Sequence, residues 1–488
     1  MFTQKEQEAF FLALEARDKR FDGKFFYGVT TTGIFCRPIC AAKPKRKNLA
    51  FFASVAEAKQ AGFRACRRGR PEAARGSPLW LGKESVVKKA ARAIAAGEFQ
   101  GERDAQFAEK MGMTARHLRR LFQEELGQTP KQFADSQRLE FARDLILNSE
   151  MAITAIAFAS GYSSLRRFNS AFQEKYKKAP RDFRARRKTG DREGIMFLKL
   201  RYHPPYQWDS ILDFFRVHSI PGIESVEEEA YLRHFIDPET GGSALARVGH
   251  LARENSIYLE LEGVHAKSVF AIVRRIKRIF DLDYNPAAIE KIFSRDAEIG
   301  GIYRRWAGLR IPQFWDPFEG AIATILGQLV SLKQAQRLVG ELVVAYGAKS
   351  PAPRRSDLAF QFPTAAALLR SDLSAVKTTR LRRQTIRHMA EAVAGEKILL
   401  RPDADFAELR RGLIAIPGIG PWSVEYICMR VLGDVDAFPA KDLVLARVLK
   451  AKPRLSPERF RPWRSYLALL LWAEFAGKMS GKGKKDAD

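Results

Sequence analysis

Cysteine is scarce in this chain: four among 488 residues, with Cys36, Cys40 and Cys66 near the start and Cys428 far from them. At this length so few cysteines exclude the disulfide framework of a small secreted domain. Cys428, inside Val424-Glu-Tyr-Ile-Cys-Met-Arg, reads as a small buried apolar residue. Long apolar runs are missing too, none approaching the ~18 residues of a membrane span. The opening Met1-Phe-Thr-Gln-Lys-Glu-Gln-Glu lacks the basic and then apolar layout of an export signal. The expectation is a cytoplasmic chain without a membrane partner. Acidic side chains are in deficit, 56 against 83 Lys and Arg, giving a net charge of +27 and a pI near 10.0. Residues 1–190 hold 38 basic and 20 acidic side chains, or +18, and the remaining 298 carry +9. Such an excess attracts polyanions by counterion release, so nucleic acid is the first candidate partner. A merely soluble basic surface, or an acidic lipid surface, is the plain alternative.

What is present suffices for about two to four globular domains. The most informative stretch is 417–442. Pro417, Gly418, Ile419 and Gly420 form a tight hairpin signal between two helical patterns, and its backbone N–H groups suit a phosphate. It is not a dinucleotide fingerprint, because Ser423 stands where a third glycine is needed and no strand pattern precedes it. Asp442 follows within Phe438-Pro-Ala-Lys-Asp, 22 residues after Gly420, far enough for the chain to turn back towards the hairpin. Taken singly, the hairpin could be an ordinary turn and Asp442 the N-cap of the apolar run Leu443, Val444, Leu445, Val448, Leu449.

An internal repeat with an offset of 50 residues lies earlier: Phe122-Gln-Glu recurs as Phe172-Gln-Glu, Pro130 as Pro180 and Phe133 as Phe183. Each copy reads as a short helix, a small-residue turn and a longer basic helix, with Thr114 and Ser163 as expected N-caps. Arg116, His117, Arg119 and Arg120 line the first basic helix, and Arg166, Arg167 and Asn169 the second. These types contact phosphates and base edges in a major groove. A solvated helix surface is the alternative. The whole of 84–188 resembles the AraC-type DNA-binding domain, which implies two helix-turn-helix units and promoter DNA as a partner.

Residues 26–40, ending Phe35-Cys-Arg-Pro-Ile-Cys40, together with Ala61-Gly-Phe-Arg-Ala-Cys66 and the basic residues after it, resemble the zinc domain of Ada-type methylphosphotriester repair proteins. The resemblance implies zinc held by four thiolates, the first of which also accepts a methyl group. Cys36, the implied methyl acceptor, Cys40 and Cys66 match three ligands, but the fourth position is Gly69, which has no side chain to offer. The expectation over 1–78 is an incomplete three-cysteine zinc site completed by water or Glu72. The alternative is a relic module that contacts DNA without metal.

After the basic run 184–188 the pattern changes. Residues 196–202 and 257–263 alternate like strands, with helical patterns at 208–216 and 267–280, suggesting a small mixed α+β domain over 195–310. From 311 to 480 the helical period dominates, and 481–488 reads as a disordered tail. Five motifs in order carry a further resemblance: His203-Pro-Pro-Tyr-Gln-Trp-Asp, Phe280-Asp-Leu-Asp-Tyr-Asn-Pro, Ala323-Thr-Ile-Leu-Gly-Gln-Leu-Val-Ser, Ile416-Pro-Gly-Ile-Gly-Pro-Trp and Arg461-Pro-Trp-Arg-Ser-Tyr. Together they resemble the inducible 3-methyladenine DNA glycosylase II of the helix-hairpin-helix superfamily, and the whole layout resembles fused regulator-glycosylase proteins of the bacterial alkylation response.

The resemblance implies Asp442 as the catalytic carboxylate and Trp422, Tyr426, Trp472 and Phe214 as a pocket for a flipped, positively charged base. It implies Leu329, beside Gln328, as the wedge that fills the gap. Core packing is the alternative for the four aromatics. The lysine of lyase-active relatives is replaced by Trp422, so no strand nicking is expected, and one cysteine in this half cannot hold an iron–sulfur cluster. The fold expected is multidomain and mostly α with α+β parts. The activity implied is cofactor-independent hydrolysis of alkylated bases from double-stranded DNA, by a nucleoid-associated monomer. A methylation-sensing regulator with an inactive glycosylase half is the competing expectation.

Overall fold

The computed structural model describes residues 2–18, 21, 25–40, 42, 44–66, 71, 87, 90–91, 94, 104–110, 113–183, 194–401 and 406–482. The chain divides into two compact units. The first comprises Met1–Lys199, His265–Val273 and Asp283–Ala288, and the second Leu200–Val264, Arg274–Leu282 and Ile289–Asp488. Gly69 and Glu72, the basic run 184–188 and residues 483–488 lie outside the described residues.

The first unit opens with a helix, Gln4–Ala16, fixed by a capping box between Thr3 and Glu6. Four short strands follow: β1 (Phe26–Val29), β2 (Ile34–Cys36), β3 (Leu49–Phe52) and β4 (Arg64–Ala65), in the order β3-β1-β2-β4. Phe26, Phe35, Phe52, Val55 and Ala58 form their core. Gly28 is required in β1, because a Cβ there would lie 2.6 to 2.8 Å from the Phe63 and Phe52 rings.

The repeat takes the expected form. In the first copy Thr114 caps Ala115–Leu126, and Thr129 with Pro130 starts Pro130–Asn148. In the second, Ile153–Ala159 leads into Leu165–Tyr176. The cap of that last helix is Ser164 rather than Ser163. The Ser164 hydroxyl accepts from Arg167 N at 3.3 Å, and this register buries Phe168 and Phe172.

The second unit contains the antiparallel strands β6 (Glu224–Glu227), β7 (Ala230–Ile236), β8 (Ser243–Leu251) and β9 (Ser256–Glu262), in the order β9-β8-β7-β6, while β5 (Ile195–Arg201) spans the division at Lys199 and Leu200. The sequence pattern had located β5 and β9 but not the three strands between them. Trp208–His218 packs on β6 and β7. Beyond residue 311 the unit is helical apart from an isolated bridge between Lys349 and Phe360. The last helix, Arg464–Lys482, extends two residues into the segment expected to be disordered. The class is the expected one, multidomain and mostly α with α+β parts.

Candidate active site and DNA-binding surfaces

The hairpin sits between Phe406–Ile414 and Pro421–Tyr426. Gly418 has φ of +90°, and a Cβ there would strike the Thr385 hydroxyl, so only glycine fits. Ile419 is buried and anchors the turn. Among the described residues neither the Gly418 nor the Gly420 N–H meets an acceptor, which leaves both donors available.

Gln328 ties this hairpin to a second loop. Its Nε2 donates to Gly418 O at 3.0 Å and to Ser423 Oγ at 2.9 Å, while Arg382 donates to the Gln328 carbonyl. The next residue, Leu329, is 98% exposed and has φ of +54°. A leucine both solvated and left-handed costs free energy twice over, an arrangement that collects at functional sites.

Asp442 is reached by a pinned route. Arg410 donates to Glu425 at 2.7 and 3.1 Å and to Asp434 at 2.7 Å, and Glu425 also accepts from Phe438 N at 3.0 Å. Asp442 then caps Leu443–Ala451: its Oδ1 accepts from Val444 N at 3.0 Å and Leu445 N at 3.2 Å. The carboxylate also accepts from two indoles, Trp472 Nε1 to Oδ1 at 2.9 Å and Trp422 Nε1 to Oδ2 at 3.1 Å. The helix cap and the cleft contact, alternatives on sequence grounds, are made by the same group.

From Asp442 a closed circuit of aromatic and polar contacts continues. Trp422 stacks on Tyr426 with centroids 4.9 Å apart, the Tyr426 hydroxyl lies 3.4 Å from His218 Nε2, and His218 stacks on Phe214 at 4.1 Å. The Arg430 guanidinium lies 4.7 Å over Phe214 and 5.5 Å over Trp472, closing the circuit. His218 Nδ1 faces the Phe214 carbonyl at 2.9 Å and so carries the proton, leaving Nε2 to accept from Tyr426. Burial pushes the His218 pKa down to about 4 and keeps the ring neutral. Burial likewise raises the Tyr426 phenol and lowers Arg430 to about 10. Sequence reasoning missed His218 and Arg430. The signal available was spacing: His218 follows Phe214 by four residues, and Arg430 follows Tyr426 by four.

In the first unit Arg116, His117, Arg119, Arg120, Arg166, Arg167 and Asn169 are all exposed, on helices whose opposite faces bury Leu118 and Phe122 or Phe168 and Phe172. Arg120 pairs with Glu124 at 2.9 Å. The sulfurs of Cys36, Cys40 and Cys66 lie within 4.8 Å of one another. Zn–S bonds of about 2.3 Å in a tetrahedron need sulfurs about 3.8 Å apart, so this set fits three corners of a zinc site. Donating a hydrogen bond to Cys40, together with burial, raises the Cys36 thiol, and accepting that hydrogen bond lowers Cys40.

Known proteins can be set beside this geometry. The metal binding domain of Ada matches residues 9–72, a helix-turn-helix domain matches 107–186, and the AlkA N-terminal domain matches 197–316. The probable bifunctional transcriptional activator/DNA repair enzyme AlkA of Mycobacterium tuberculosis is 34% identical over 479 residues, covering 95% of this chain and 96% of its own. The chain belongs to this AlkA family of fused regulator and DNA repair proteins. Escherichia coli DNA-3-methyladenine glycosylase 2 is 28% identical over 56% of this chain and 95% of its own. The bifunctional transcriptional activator/DNA repair enzyme Ada of Escherichia coli is 38% identical over 29% of this chain and 39% of its own. The two halves of this AlkA-family chain therefore match separate proteins. None of its helices, among the described residues, is long and apolar enough to cross a membrane.

Proposed function

We propose that the second unit is a monofunctional DNA glycosylase that hydrolyses the N-glycosidic bond of alkylated bases, 3-methyladenine foremost, in double-stranded DNA. The first unit is its DNA-binding regulator. The observation that carries this reading is the Asp442 carboxylate, which accepts both Trp422 and Trp472 at the aromatic cleft while belonging to the same run of chain as the hairpin.

The chemistry follows from charge. A base alkylated on a ring nitrogen is a cation, and it leaves neutral when it takes the electron pair of the C1′–N bond. The sugar becomes oxocarbenium-like, Asp442 stabilises that positive charge, and water adds to C1′. Leu329 fills the place vacated by the extruded nucleotide, and the Gly418 and Gly420 N–H groups hold a phosphate of the same strand. Tyr426 and Trp422 offer stacked faces to the base. With Trp422 in place of a lysine, the strand is left intact.

In the first unit Cys36, Cys40 and Cys66 would hold zinc, which keeps a thiol deprotonated and nucleophilic when bound. Cys36 is the methyl acceptor on this reading, and the exposed residues of the two basic helices contact promoter DNA. The protein works as a monomer in the bacterial cytoplasm.

Asp442→Asn tests the central claim. Asparagine is an equally good N-cap, so the helix and DNA affinity should persist while single-turnover release of 3-methyladenine falls by about 100-fold or more. Unchanged release by a correctly folded variant would remove Asp442 from the mechanism.

A further inference from the structure

Arg430 has no part in the hydrolysis described so far. It is only 8% exposed, its Nε and Nη1 meet no hydrogen-bond acceptor, and among the described residues no carboxylate pairs with it. Burying an unpaired cation is costly, and a buried donor left unsatisfied calls for an explanation such as a catalytic role or a bound water or ion. The residue stands on a π-helical turn, Ile427–Val431, an interruption that recurs at functional sites.

Its position is also at odds with a cleft made only for cations. The faces of Phe214 and Trp472 would attract a positively charged base, but each already carries the guanidinium. A second positive charge is repelled there, whereas a neutral base with acceptors on its edge would meet two unused N–H donors.

The electron count of bond cleavage sharpens the distinction. A neutral 6-oxopurine that takes the electron pair of its C1′–N9 bond leaves as an anion, with charge spread over N7 and O6. Water gives hydroxide to C1′ and its proton to the departed base. A ring-alkylated base leaves neutral and needs no such stabilisation.

We infer that Arg430 is a specificity-determining residue, which binds the acceptor edge of a neutral 6-oxopurine and takes up the negative charge that develops as that base leaves. The inference rests on the glycosylase reading above. The cleft then serves two lesion classes, with Arg430 setting the balance between them.

The test compares single-turnover release of hypoxanthine and of 3-methyladenine from duplex DNA by the full chain, its Arg430→Met and Arg430→Ala variants, and Arg430→Ala with millimolar guanidinium. The wild type should release both. Either substitution should lower the ratio of hypoxanthine to 3-methyladenine release by about tenfold or more, equivalent to about 1.4 kcal/mol. Guanidinium should restore hypoxanthine release to Arg430→Ala. Equal losses on both substrates without rescue would reduce Arg430 to a packing residue, and a wild type that releases only 3-methyladenine would also overturn the inference. Release of neither base would instead sink the glycosylase reading, and this inference with it.

Discussion

Gly418→Ala should damage the hairpin by two separable routes. The first is conformational: φ of +90° is outside the range an L side chain adopts readily, which costs about 1–2 kcal/mol. The second is steric, since the new methyl group would fall on the Thr385 hydroxyl and 3.0 Å from Thr385 Cβ and Cγ2. Thr385 is 2% exposed and its hydroxyl donates to Leu381 O at 3.1 Å, so it has little room to retreat, and overpacking of this kind costs about 1–3 kcal/mol. The sum is about 2–5 kcal/mol. Thr385→Ala deletes the two outer atoms of the clash at a cost of about 1 kcal/mol on its own. The double variant should therefore be more stable than the sum of the single losses by about 1–3 kcal/mol. Urea unfolding followed by tryptophan fluorescence reads the relevant unit, because of the seven tryptophans only Trp80 lies outside it. Affinity for undamaged duplex should fall with Gly418→Ala, since the Gly418 carbonyl is the Gln328 contact, and recover in part in the double variant. Additivity within about 0.3 kcal/mol would refute the steric half of the argument.

Three further outcomes are expected. His218 is neutral in the fold with its pKa near 4 against 6.5 unfolded, so the unfolded chain binds the extra proton and stability, full above about pH 6.5, declines as pH falls towards 4. The loss reaches about 3 kcal/mol, and His218→Asn should flatten that part of a stability profile measured from pH 7 to 4. Leu329→Asn replaces an exposed left-handed leucine with a residue that tolerates that conformation. It should raise stability by about 0.5–1 kcal/mol yet slow base release by about tenfold, and parallel changes in both would argue against a wedge. Metal analysis should find about one zinc per chain, lost in Cys66→Ser, while a chelator leaves base release untouched. Fewer than about 0.2 zinc per chain would mean that three thiolates do not suffice.

What the sequence revealed was what local rules govern. The Gly418 turn, the Thr114 cap, the cap expected at Ser163 and met at Ser164, and the 50-residue repeat are local signals, and each is found within a residue of its expected place. The strand β7 escaped notice because Ala-Tyr-Leu-Arg-His-Phe-Ile is buried on both faces and shows no alternation. Its Arg233 can be buried only because Glu224 and Glu319 each accept from it at 2.6 Å, and Glu319 is 86 residues away. Arg430 and His218 were hidden for the same reason. Their significance depends on Phe214 and Trp472, which come from helices far apart in the chain, and no window of sequence contains all of them.

The double duty of Asp442 bears directly on which oxygen could act. A carboxylate offers about four lone-pair sites, two on each oxygen. Oδ1 accepts from Val444 N, Leu445 N and Trp472 Nε1 and has nothing left, whereas Oδ2 accepts from Trp422 Nε1 alone. Capping the helix therefore does not compete with a role beside the deoxyribose, because it saturates one oxygen, fixes the plane of the carboxylate, and leaves the other a free lone pair. On the proposed reading Oδ2 is the atom that meets the developing sugar cation. The indole of Trp422, bonded to that same oxygen and stacked on Tyr426, then links the position of the base to the position of the charge. Trp422→Phe keeps an aromatic face and removes only the N–H. It should lower the rate of release by more than it weakens binding of damaged duplex, and a larger loss in binding would show that Trp422 serves the base alone.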